Sequence, residues 1–102
     1  MMIQHVVLFK LQESMTPNGK KELVRQIKRE FELLPEKIVE LRALSILPNL
    51  NPNEEYDFML VAMLESEKDL ECYANHPEHI SLVTKLIKPN LDKRAAVDVW
   101  VE

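Results

Sequence analysis

The segment Tyr73-Ala74-Asn75-His76-Pro77-Glu78-His79 brings two of the chain's three histidines and one of its two tyrosines together. Imidazole titrates nearer neutrality than any other side chain, so this segment, with His5 in the apolar run at the N-terminus, is where proton transfer would take place. Each residue also has a purely structural reading. His79 can cap a junction between helix and sheet by bonding a backbone carbonyl, and Tyr73 can fill the core with its hydroxyl at the rim. His5 shares a strand face with Val7 and Phe9, where a polar ring must find a hydrogen-bond partner. A satisfied core histidine and a pocket histidine are both open there. His76 precedes a proline, which biases it away from helical geometry and suits a turn between two helical segments.

Other chemistries are weaker. His76 and His79, with Glu78 or His5, could hold zinc or a similar ion, but the spacing contains a proline and fixes no third ligand, so no metal is expected. Cys72 would be a nucleophile only with a base beside it, and a small, half-buried helix cysteine is the simpler reading. Asp98, between Val97 and Val99, is expected to pair with Arg94 or with a basic residue of a helix. Gly19 is the only glycine, and loops that cradle phosphates need several, so nucleotide sites of that kind are excluded and no cofactor is expected.

The elements that must position these side chains follow from periodicity and punctuation. Residues 3–11 alternate Ile3, His5, Val7, Phe9 and Leu11 against Gln4, Val6, Leu8 and Lys10, which predicts a strand apolar on both faces in its middle. Thr16-Pro17 opens a helix carrying Leu23, Val24, Ile27, Phe31 and Leu34, ending at or just before Pro35. A second strand is expected from about Glu40 to Leu47, with a slip in alternation near Ala43. The third, Tyr56 to Glu65, sets Tyr56, Phe58, Leu60, Ala62 and Leu64 against Met59, Val61 and Met63. Ser66-Glu67-Lys68-Asp69 has the form of a capping box and opens a helix through Tyr73. A further helix runs from about Pro77 to Leu86. Lys88-Pro89-Asn90 turns the chain into a last strand, Arg94 to Glu102, with Ala95, Val97, Val99 and Val101 on one face.

The order is β-α-β-β-α-β, an α+β ferredoxin-like arrangement of four antiparallel strands with helices on one face. Two helical segments cover one sheet face, yet the first and third strands are apolar on both. A second copy packed sheet against sheet would supply the missing cover, so a homodimer is expected.

The 102 residues, 46% hydrophobic, form one domain spanning 1–102. A net charge of −4 and a pI of about 5.4 argue against a nucleic-acid or anionic-membrane surface, and the basic residues of 20–29 are interleaved with acids. One cysteine permits no internal disulfide, the start lacks the pattern of a signal peptide, and no run is long enough to span a bilayer. A cytoplasmic location is expected.

His5-Val6-Val7-Leu8-Phe9-Lys10-Leu11, the Tyr-x-x-His-Pro-x-His block at 73–79 and Val97-Asp98-Val99 together resemble the stress-responsive α/β barrel domain family, known as Dabb. The resemblance covers essentially the whole chain, and the block at 73–79 is its most specific part. It implies a dimeric α/β barrel in which two ferredoxin-like sheets close on one another. Most bacterial members have no assigned activity, whereas a plant polyketide cyclase on this scaffold closes a linear thioester by aldol condensation. By motif position, the resemblance makes His79 the counterpart of its base, Tyr73 of the assisting tyrosine and His5 of a pocket histidine. The second strand, Leu41-Arg42-Ala43-Leu44-Ser45, departs from the family pattern in lacking a glycine often found there, so the likeness does not extend to the walls that choose a substrate. Two classes of function are therefore in view. One is a homodimeric module holding a small apolar ligand, without assigned activity. The other is an enzyme, either a cyclase or lyase acting on a carbonyl compound with His79 and Tyr73, or a cofactor-free monooxygenase like those on related dimeric barrels.

Overall fold

The computed structural model describes residues 1–102. Four strands, β1 (Met2–Leu11), β2 (Ala43–Pro48), β3 (Phe58–Leu64) and β4 (Leu91–Val101), alternate with α1 (Pro17–Phe31), α2 (Glu67–Asn75) and α3 (Pro77–Leu82). The sheet order is β2-β3-β1-β4, and every neighbouring pair is antiparallel. This is the ferredoxin-like order, with β1 and β3 in the centre.

Alternation divides the two central strands as their sequences require. Ile3, Val7, Phe9 and Leu11 of β1 and Phe58, Leu60, Ala62 and Leu64 of β3 are buried under the helices. Phe9 and Phe58 are cross-strand partners, and their rings stack with centroids 4.8 Å apart. Val24, Ile27 and Phe31 of α1 close over them. Each such side chain, fully removed from water, contributes about 1.5–3 kcal/mol. The opposite face has no cover within the chain. It presents Val6, Leu8, Met59, Val61 and Met63, none of them fully buried, beside Val97 and Val99 of β4, which are 55% and 41% exposed.

Local signals set the helix starts. The Thr16 hydroxyl accepts the Gly19 N–H at 3.0 Å, with Pro17 in the first turn of α1. The Ser66 hydroxyl accepts the Asp69 N–H at 3.1 Å at the head of α2.

Several boundaries differ from the sequence-based expectation, with β3 starting at Phe58 rather than Tyr56 and β4 at Leu91 rather than Arg94. α1 stops at Phe31, and Pro35 lies within a short 3-10 turn, Leu34–Glu36. The second strand starts at Ala43 rather than Glu40, because Leu34, Ile38 and Leu41 are buried from a turn structure instead. The slip in alternation near Ala43 is the start of the strand. The expected helix from Pro77 to Leu86 is α3 followed by a wide π turn, Val83–Ile87, and a 3-10 turn, Lys88–Asn90. The residue added by the wide turn allows consecutive Leu86 and Ile87 both to be buried. No helix is long and apolar enough to cross a membrane.

Candidate functional site

The helix break at His76-Pro77 builds the site. In an unbroken helix, residues six apart would point roughly 120° from one another at about 100° per residue. Instead His76 leaves helical geometry (φ −68°, ψ 134°), ending α2 and opening α3. Its Nδ1 accepts the Glu78 N–H at 3.1 Å, which is the turn role read for it from the sequence. The reversal brings the rings of Tyr73 and His79 to 4.4 Å between centroids, tilted by 43°. From β1, the His5 ring meets Tyr73 edge-on at 6.2 Å.

All three side chains line one cavity of about 490 Å3 between the helix side of the sheet and α2 and α3. Its remaining walls are mostly apolar, including Val7, Phe9, Phe31, Leu60, Val83 and Ile87, with Arg94 and Asp98 of β4 and Lys88 as the other charged groups. The volume lies within the range of small-molecule sites. A second groove, of about 400 Å3, runs between α1 and the end of β2 and is lined by Lys20, Lys21, Arg25 and Lys28. It contains no histidine, tyrosine or cysteine.

His79 Nδ1 lies 3.0 Å from the Ala74 carbonyl. A carbonyl only accepts, so Nδ1 carries the proton and donates it, leaving the Nε2 lone pair free. The carbonyl bond anticipated as a purely structural role thus also fixes the tautomer that a base needs. Burial pushes the His79 pKa below its ordinary value. The Ala74 bond opposes this, and the nearby His5, Arg94 and His76 add to the lowering.

Tyr73 is buried rather than placed at a rim, and its hydroxyl has no hydrogen-bond partner. Burial also holds its pKa well above the usual phenol range, so the O–H remains a donor. An unpaired buried donor costs about 1–3 kcal/mol. It is shut off from water, so a ligand oxygen reaches it only where the cavity wall moves aside, and there meets no solvent competitor. Tyr73→Phe should therefore leave thermal stability unchanged or raise it, as read by calorimetry, while weakening any reaction that uses the hydroxyl. A marked loss of stability would mean that the hydroxyl has a structural partner.

Asp98 does not pair with Arg94 or a helix cation. Residues four apart on a strand are about 13 Å apart, whereas the register sets Asp98 directly opposite His5. Its carboxylate hydrogen-bonds His5 Nδ1. His5 is thus both satisfied and part of the cavity wall, its Nδ1 held by the carboxylate. Sequence reasoning gave Asp98 a structural role and Arg94 only that of its partner, not of a cavity residue. Parity puts residues 94, 96 and 98 on one face of β4, but only the register with β1 sets that face alongside His5 and Phe9. Cys72 is exposed. No group of three or more histidine, cysteine, aspartate or glutamate side chains is arranged to hold a metal ion, and His76 Nδ1 is taken up by its helix cap.

The family described as stress responsive A/B barrel domain matches residues 3–101. A dimeric protein of unknown function with a ferredoxin-like fold from Bacteroides fragilis is 32% identical, with 98% of this chain and 96% of that one covered at a TM-score of 0.90. A dimeric ferredoxin-like protein of unknown function from Thermobifida fusca is 31% identical, covering 99% and 92% at a TM-score of 0.81. A hydroxynitrile lyase from Passiflora edulis shares the fold at 12% identity, with 99% and 94% covered and a TM-score of 0.79. No curated protein matches the chain.

Proposed function

The chain belongs to the stress responsive A/B barrel domain family, and from that premise we propose that it is a homodimeric barrel that binds a small, largely apolar carbonyl compound and removes a proton from the carbon beside the carbonyl. The observation that carries this reading is the convergence of His79, Tyr73 and the His5–Asp98 pair on one apolar cavity.

The chemistry follows from the protonation states. His79 Nε2 takes the proton as the C–H bond breaks, and the electron pair passes into the enolate. The Tyr73 O–H donates to the oxygen on which negative charge develops. The apolar walls keep His79 neutral and ready to accept a proton at pH 7. His5, its Nδ1 held by Asp98, presents its other nitrogen as a further polar contact. An enolate formed this way is the nucleophile of aldol closure and the product of its reversal, the reaction class to which cyclases and carbon–carbon lyases belong.

The dimer joins the open sheet faces. The apolar side chains of β1, β3 and β4 that no helix covers support it, and so does the dimeric description of the two relatives above 30% identity. The cavity lies on the other face, built from one chain.

The test is exchange of the α-protons of 2-octanone in deuterated buffer, followed by NMR. The protein should accelerate exchange above the buffer rate. Binding of the ketone without acceleration would make this a binding module rather than an enzyme.

A further inference from the structure

We propose that the cavity selects carbonyl compounds that also carry a carboxylate, and that Arg94 holds that carboxylate. This names a substrate class for the site described above and rests on that site being where ligand binds.

Arg94 projects from β4 on the helix side, opposite Phe9 in the register, and lines the cavity. No carboxylate lies within ion-pair distance of it, although Lys10, Lys20, Arg25, Lys28, Arg42 and Lys93 each have one. The acids nearest to it in sequence are engaged elsewhere: Asp98 on His5 and Asp92 on Lys10. Its cross-strand neighbour Phe9 and its same-face neighbour Ala96 carry no charge. Lys88, at the same cavity, also has no ion-pair partner. The chain carries a net charge of −4, yet two exposed cations without an ion-pair partner line the cavity, beside a single carboxylate that is already bound. The guanidinium fork matches a carboxylate in two parallel hydrogen bonds. The ligand's hydrocarbon part would lie along Phe31, Leu60, Val83 and Ile87, with its carbonyl at His79 and Tyr73. A neutral ligand of the same shape would leave the cations to water.

The experiment compares 7-oxooctanoate with 7-oxooctanamide, equal in length and differing in charge, by calorimetric titration against the full chain, Arg94→Met and Arg94→Lys. The parent should bind the acid about tenfold more tightly than the amide, the scale of one partly desolvated charge-assisted hydrogen bond. Arg94→Met should remove that preference by weakening the acid alone, and Arg94→Lys should keep part of it. Arg94 is exposed, so both variants should fold as the parent does. Equal affinity of the parent for acid and amide, equal losses of both in Arg94→Met, or binding of neither would overturn the proposal. Proton exchange separates the two readings. Exchange of 2-octanone that depends on His79, without a preference for the acid, would leave the chemistry standing and remove the selectivity. A preference for the acid that depends on Arg94, without exchange, would do the reverse.

Discussion

His79→Ala should lower the α-proton exchange rate of 2-octanone by at least about a hundredfold, the usual span for a positioned general base being 10²–10⁴, while the protein stays folded and still binds the ketone. The truncation removes the free Nε2 lone pair, together with a single hydrogen bond to the Ala74 carbonyl. That bond is worth about 1 kcal/mol, too little to unfold the domain. The pH profile carries a second signature. Burial holds the His79 pKa below its ordinary value of 6.5, so the parent rate should be level at pH 7 and fall only as acid protonates the ring. The linked effect on stability has the same direction. Below about pH 6.5 an unfolded histidine takes up a proton that the native one resists. The native state should therefore lose stability as pH falls from about 6.5 towards the lower folded pKa, and His79→Ala should lack that part of the loss. An unchanged exchange rate in His79→Ala would remove the base from the account.

Val61→Asp should convert the homodimer to a monomer. Val61 lies in the middle of the open face, flanked in register by Val6 and Ser45 and along β3 by Met59 and Met63. Facing sheets pack about 10 Å apart, which leaves no water for a carboxylate at that position. Burying it unpaired costs about 3 kcal/mol or more, over a hundredfold in the dimer dissociation constant. Sedimentation equilibrium at micromolar concentration should find the parent at twice the chain mass and the variant at one. A variant that stays dimeric would place the interface elsewhere. The cavity residues belong to one chain and lie on the opposite face, so whatever fraction of the variant remains folded should still bind ketone.

The fold was legible in the sequence to the extent that it rests on local pattern. Period-two alternation in β1 and β3 marked both faces of the central strands, and Thr16-Pro17 and Ser66-x-x-Asp69 marked two helix starts. The overlap of two-sided strands with one-sided helices pointed to a second copy of the chain. Features set by tertiary packing were not legible. Leu34, Ile38 and Leu41 read equally well as helix, turn or strand, and the core uses them from a turn. The π turn at Val83–Ile87 leaves no local mark, because an α-helical pattern absorbs one extra residue without a break in composition. At the site, the reversal at His76-Pro77 was visible, but the pairing of His5 with Asp98 depends on a register between the first and last strands that no local pattern encodes. The place of Arg94 at the cavity was missed for the same reason, since only that register sets it beside Phe9.

The most direct measurement is a crystal structure of the protein with 2-octanone bound. The carbonyl oxygen should lie within hydrogen-bond reach of the Tyr73 hydroxyl, about 2.6–3.2 Å, and an α-carbon about 3–3.5 Å from His79 Nε2, in each cavity of a dimer joined through the open sheet faces. Ketone seated outside the cavity, or inside it with its carbonyl turned away from Tyr73 and His79, would contradict the assignment of this cavity to proton transfer.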